Sequence, residues 1–172
     1  MKREAIAIVF LLAATLVCAS VDPQVTIRKA VERASEAVIA GDTDAILDST
    51  YPKLIEQVGG RESMREILTK NLTGLEQRGL TVVSNEIVSI SEPVRAGTEL
   101  HAIVRSRRTL KAPRGRQIHD TFLIAVSGDD GQSWSFVDGP QLTPNHIKIL
   151  FPDFNSALVL PRVDAPVFQA DP

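Results

Sequence analysis

The chain has 172 residues, and its 19 Lys and Arg stand against 21 Asp and Glu, a formal charge of -2 at pH 7. That balance offers a polyanion little to hold, and an aromatic content of 5% leaves little material for stacking single-stranded bases. Nucleic acid is therefore set aside as a partner.

Lys2 and Arg3 precede an apolar run from Ala5 to Leu16, and Val17-Cys18-Ala19 supplies a small-residue exit. This is the pattern of an export signal cleaved after Ala19. The run is shorter than the roughly 20 residues of a membrane-spanning helix, so no stable span is expected after cleavage. Residues 1–19 are thus expected to be removed and the chain to be periplasmic or secreted. The alternative is a lipid anchor on Cys18, although Val17 stands where lipoprotein signals place a small residue. Cys18 is the only cysteine, so the mature domain would have neither a disulfide nor a thiol nucleophile. Its stability must come from an apolar core, which a chain of about 150 residues can build as one domain.

Asp22-Pro23 suits the start of a helix, because the carboxylate accepts from free backbone amides and proline's fixed φ fits the first turn. Ile27, Ala30, Val31, Ala34, Ala37 and Val38 recur at steps of three and four and form one stripe. Gly41 closes that helix with a left-handed cap. Asp42 is placed to cap a short helix through Leu47, and Pro52 opens another turn with Leu54, Ile55 and Val58 inward. After Gly59-Gly60 a longer helix carries Met64, Ile67, Leu68, Leu72 and Leu75 on one face and stops at Gly79.

From Leu80 the apolar period falls to two and β-branched residues replace alanine, the mark of strands. Four are expected: Leu80 to Ser91, Thr98 to Ala112, Arg116 to Ser127 and Ser133 to Asp138. The breaks fall at Glu92-Pro93, Pro113 and Gly128 to Gly131, and connections this short favour an antiparallel meander. Thr143-Pro144 then begins a short helix bearing Ile147, Leu150 and Phe151. Residues 155–172, with Pro161, Pro166 and Pro172, read as an extended tail.

Helices first and an antiparallel sheet afterwards define an α+β protein. Ala40-Gly41-Asp42, Thr50-Tyr51-Pro52-Lys53, Gly59-Gly60-Arg61-Glu62 and Phe136-Val137-Asp138-Gly139, in this order of elements, resemble the nuclear transport factor two-like superfamily, in particular an exported bacterial branch. The resemblance implies a cystatin-like cone over residues 20–154, in which a curved, barrel-like sheet encloses the helices around a cavity. It says little about activity, since that superfamily contains isomerases, dehydratases and adaptors alike.

The candidate site residues are Tyr51, His101, Arg105, His119, Trp134 and Asp138, assigned to the cavity or to a sheet face, with Tyr51 reading equally as a lid on the core. His101, His119 and Asp138 suggest an acid–base or metal cluster, set against a half-exposed sheet face carrying His101, Ile103, Arg105 and Arg107. Arg105, Arg107, Arg108, Lys111, Arg114 and Arg116 read either as an anion-binding rim or as charges that protect a sheet edge. Ser127-Gly128-Asp129-Asp130-Gly131-Gln132-Ser133-Trp134 matches an Asp-box and reads as a tight turn with Trp134 packed beneath it. No cofactor is implied: no Gly-rich phosphate loop, His-Glu-x-x-His helix or nucleophile elbow is present.

These features favour a noncatalytic module that takes a small apolar ligand or docks a partner. The rival is a cavity enzyme of isomerase or dehydratase type, whose mark would be a buried carboxyl facing the cavity. Homodimerisation through the open sheet face is a third expectation.

Overall fold

A computed structural model describes residues 22–171; the expected export signal and Cys18 lie outside the described residues. Helix α1 (Pro23–Ala40) opens where expected, the Asp22 carboxylate accepting from the Gln24 amide at 2.9 Å. It closes at Gly41, whose φ of 68° is the left-handed geometry that glycine adopts without strain. Asp42 caps α2 (Thr43–Ser49) by accepting from the Ala45 amide at 3.1 Å. Proline starts α3 (Pro52–Gln57), and α4 (Arg61–Gln77) follows the glycine pair.

The remainder is an open antiparallel sheet with one short helix: β1 (Thr81–Ile90), β2 (Val94–Ala96), β3 (Glu99–Ala112), β4 (Gly115–Ser127), β5 (Ser135–Asp138), α5 (Pro144–Leu150) and β6 (Val167–Ala170). The strand order is β1-β3-β4-β5, with β2 paired to β3 and β6 paired to β4. Two of these strands differ from the sequence reading. Glu92-Pro93 does interrupt the first strand, but the chain stays beside β3: Ser91 Oγ accepts from the Ile103 amide at 2.9 Å, and β2 then pairs Val94 with His101. At the other end, the expected irregular tail includes β6, which pairs Gly115 to Ile118 with Ala170 to Val167. Gly115 makes this possible, because a Cβ there would collide with the Gln169 carbonyl oxygen.

The long β3–β4 ribbon sends side chains to both faces. On one, Ala102, Val104 and Ala125 pack against Ile27, Ala30 and Val31 of α1, with Trp134 and Phe136 beside them. On the other, Ile103, Phe122, Ile124 and Val126 lie beneath Tyr51, Leu150, Phe151 and Leu158. The expectation of a half-exposed second face therefore holds only at its far end, where Arg105 and Arg107 are exposed. His101 is 1% exposed, edge-on to Phe151 with ring centroids 5.1 Å apart. The face expected to be open for a dimer is covered at this end by the chain's own C-terminal segment.

Phe151 is 2% exposed and holds that cover in place. Phe151→Ala should lower stability by about 3–5 kcal/mol, the usual consequence of emptying a phenylalanine site. Val159→Ala, at a residue 81% exposed, should change it by less than about 0.5 kcal/mol. Urea unfolding of the two variants would show the difference.

Candidate functional site

Between the helices and the sheet lies a cavity of about 280 Å³. Its helical wall is the apolar stripe of α4: Met64, Leu68, Leu72 and Leu75 all line it, yet Met64 is the only buried residue of that helix. Leu75 also packs against Leu80, Val82, Leu110 and Ala112, whereas Leu68 and Leu72 face open space where a closed core would place a partner. Leu123 of β4 and Phe136 of β5 form part of the opposite wall.

The strands contribute three polar side chains to this lining, Asn85 of β1, Arg108 of β3 and Asp138 of β5, beside Ser35, Ser49, Thr50 and Asn71 on the helical side. Pairing explains their common direction. Asn85 lies opposite Arg108, and Arg108 opposite His119, so the three form one row across neighbouring strands; Asp138 lies opposite Leu123 on β4. Asn85 Nδ2 donates to Ser35 Oγ of α1 at 2.8 Å. Asn85 Oδ1, Arg108 Nε and Asp138 Oδ1 are buried and have no hydrogen-bond partner among the described residues. Leaving such atoms unpaired costs about 1–3 kcal/mol each, so their presence in one cavity is a chemical feature of the site.

Burial pushes the Asp138 carboxyl above its ordinary range, and the positive charge of Arg108 only partly offsets this. His119 shifts the other way: burial first, then the nearby Arg108, lowers its affinity for a proton. The cavity therefore places one fixed cation and one carboxyl biased toward its neutral form in largely apolar surroundings.

Of the six expected site residues, Asp138 alone lines this cavity. His119 stands beside it, in the row with Arg108, and His101 points to the opposite face, so the expected His101–His119–Asp138 cluster is not assembled. Arg105 is exposed on that opposite face. Of the two readings of Tyr51, the lid on the core holds: it is buried in the second-face cluster, stacks on Phe151 at 5.4 Å and donates to Glu99 at 3.0 Å. Glu99 also accepts from Lys53 and meets His101 Nε2 at 3.2 Å. Burial pushes the Glu99 carboxyl upward, but the hydrogen bonds from His101, Lys53 and Tyr51 outweigh it and hold the group below its usual range. This network fastens the second face and does not touch the cavity.

Trp134 is buried, and its Nε1 donates to Thr26 Oγ1 at 2.9 Å and to the Gly131 carbonyl at 3.2 Å, tying the Asp-box turn to α1. Asp129 organises that turn by accepting from Ser133 Oγ, the Ser133 amide and Ser127 Oγ at 2.6, 2.9 and 2.8 Å. Those bonds, led by the two from Ser133, lower its pKa to about 2. The basic group does not form one rim: Arg107 pairs with Asp120 at 2.8 Å on one face, while Arg108 enters the cavity wall on the other.

Asn85 was missed as a site residue, and Arg108 was noticed only as one member of the basic group. A signal for Arg108 existed: it shares its parity with Ala102, Val104 and Leu110, so it interrupts the apolar side of β3. Comparison with models of known families, with curated proteins and with solved structures finds no match.

The two aspartates should respond to pH in opposite ways. Ionising Asp138 opposes folding, so stability is lost as pH rises from 3.8 through its raised folded value. Asp138→Asn should therefore gain thermal midpoint over the parent as pH rises from 3 to 7, and a constant difference would contradict this. Asp129 stabilises the fold above 3.8 and ceases to do so as pH falls toward about 2. Asp129→Asn should melt lower at pH 6, with the gap closing in acid.

Proposed function

We propose that the protein is an exported, noncatalytic binding module that holds a small, mainly apolar ligand between α4 and the sheet. The observation that carries this reading is the coincidence, in the lining of one cavity, of Leu68 and Leu72 of α4 with Asn85, Arg108 and Asp138, each of which has a polar atom unpaired among the described residues. An apolar cavity with a few convergent polar groups is the usual form of a ligand site, the apolar wall supplying affinity and the polar atoms orientation. A space of about 280 Å³ packed at protein-like density holds about a dozen non-hydrogen atoms.

The resemblance to the nuclear transport factor two-like superfamily supports a cone-like wrapping of the sheet around the helices and a cavity within it, and does not separate binding from catalysis. Export rests on Lys2, Arg3, the apolar run after them and the Val17-Cys18-Ala19 exit.

The direct test uses 1-naphthylamine, a naphthalene dye small enough for this cavity, whose emission changes in a dry site. Saturable binding at one dye per chain is expected. Leu72→Trp should weaken it at least tenfold by filling the cavity, while circular dichroism stays unchanged. Dye binding that is absent, or indifferent to Leu72→Trp, would refute the reading.

One observation favours the rival of a cavity isomerase or dehydratase. Asp138 is a carboxyl with a raised proton affinity inside an apolar site, a setting in which such groups transfer protons. That reading requires the protein to speed exchange of the α-protons of a small cyclic ketone with deuterated water, and Asp138→Asn to abolish the effect. A rate equal to that of buffer leaves the binding module.

A further inference from the structure

We infer that the ligand is a small apolar carboxylic acid, its carboxylate held by Arg108 and sharing one proton with Asp138. This rests on the binding-module reading and adds the chemistry of the ligand's head. Hydrogen-bond and charge complementarity to Asn85, Arg108 and Asp138, the three strand residues that line the cavity, sets that head.

Two of the three are adaptable. The Ser35 hydroxyl bonded to Asn85 can accept or donate, so the amide can present either its oxygen or its nitrogen to the cavity. Asp138 accepts when ionised and donates when protonated. Arg108 has no such freedom, because its guanidinium only donates and is always charged. Among the described residues no carboxylate lies within ion-pairing distance of it, whereas Arg107, the next residue on the strand, is paired with Asp120. The fixed requirement of the site is therefore an acceptor with negative charge. An ammonium head would meet Arg108 with like charge, and a neutral alcohol would leave the guanidinium uncompensated.

Binding must also deal with Asp138. Two carboxylates in one apolar site do not both ionise readily, and they share a proton. Burial already biases Asp138 toward its neutral form, so a bound carboxylate would receive a hydrogen bond from a protonated Asp138 on one side and from Arg108 on the other. The charged and titratable groups around Asp138 are few. Arg108 comes from β3 and His119 stands across from it on β4, while α1, α2, α4 and β1 add none to the lining. Proton uptake on binding is thus assigned to Asp138 and the ligand together.

Calorimetric titration of the purified protein with cyclohexanecarboxylate, cyclohexylmethanol and cyclohexylmethylamine tests this, with the naphthalene dye as a fourth probe. At pH 6 the carboxylate should bind at least tenfold more tightly than the alcohol, and the amine most weakly. Its affinity should fall from pH 5 to pH 8. Buffers of different ionisation heat should reveal proton uptake in the parent and none in Asp138→Asn. Arg108→Gln should erase the preference for carboxylate, and Arg108→Lys should retain part of it.

The inference is overturned if the alcohol or the amine binds as tightly as the acid, or if the preference survives Arg108→Gln in protein with parental circular dichroism. Should Arg108→Gln not fold, the parent's ranking of the three probes and the Arg108→Lys result decide. Dye and alcohol binding without any advantage for the acid removes only the carboxylate assignment. Failure of all four probes removes the binding-module reading as well.

Discussion

The β3–β4 ribbon carries apolar side chains toward both of its faces, and a ribbon of that kind persists in water only between two covers. Helix α1 supplies one, setting Ile27, Ala30 and Val31 against Ala102, Val104 and Ala125. The segment through α5 supplies the other, setting Leu150, Phe151 and Leu158 over Ile103, Phe122 and Ile124. Glu99, at the start of β3, fastens the second cover: it receives Tyr51 and Lys53 from the start of α3 and lies beside His101, whose ring meets Phe151. Loss of either cover would expose strand faces with strong tendencies to associate.

The first cover is unequal along its length, and the cavity follows from that. Where α1 crosses the sheet, small residues such as Ala30 let helix and strands meet closely. Helix α4 brings longer side chains, and while Leu75 packs against Leu80, Val82, Leu110 and Ala112, Leu68 and Leu72 face a space. The strand positions across that space carry Asn85, Arg108 and Asp138 where apolar residues would have completed a core. A chain under selection for packing alone would fill such positions with leucine or valine, since sealed polar atoms without partners lower stability. Under the proposed binding function, these three residues lower the stability of this region in exchange for recognition.

Local features were readable in the sequence because their causes are local. Asp22, Asp42 and Gly41 cap α1 and α2 as their chemistry requires, and the change of period at Leu80 marks the start of the sheet within one residue. Two-residue periodicity identifies which side chains share a face, but not what lies over that face. His101 was therefore placed on a half-exposed surface, although Phe151, fifty positions later, covers it. Strand β6 left no pattern because all four of its residues are exposed; what admits it is Gly115 on the strand it joins. Tyr51 was drawn to the cavity by its place beside Pro52, but its hydroxyl is satisfied by Glu99 on the other face. Arg108 was obscured by the arginines around it, and only its parity with Ala102, Val104 and Leu110 sets it apart.

Ligand binding between α4 and the sheet requires that Leu68 and Leu72 face a largely apolar space. Diffraction from crystals of the protein pressurised with xenon examines that space directly, since xenon occupies apolar cavities without needing a specific head group. The account requires a xenon peak between Leu72 and Leu123, with Asp138 and Arg108 at the edge of the same space. Electron density showing α4 closed onto the sheet, its leucines in contact with Leu123 and Phe136 and no xenon between them, would contradict it.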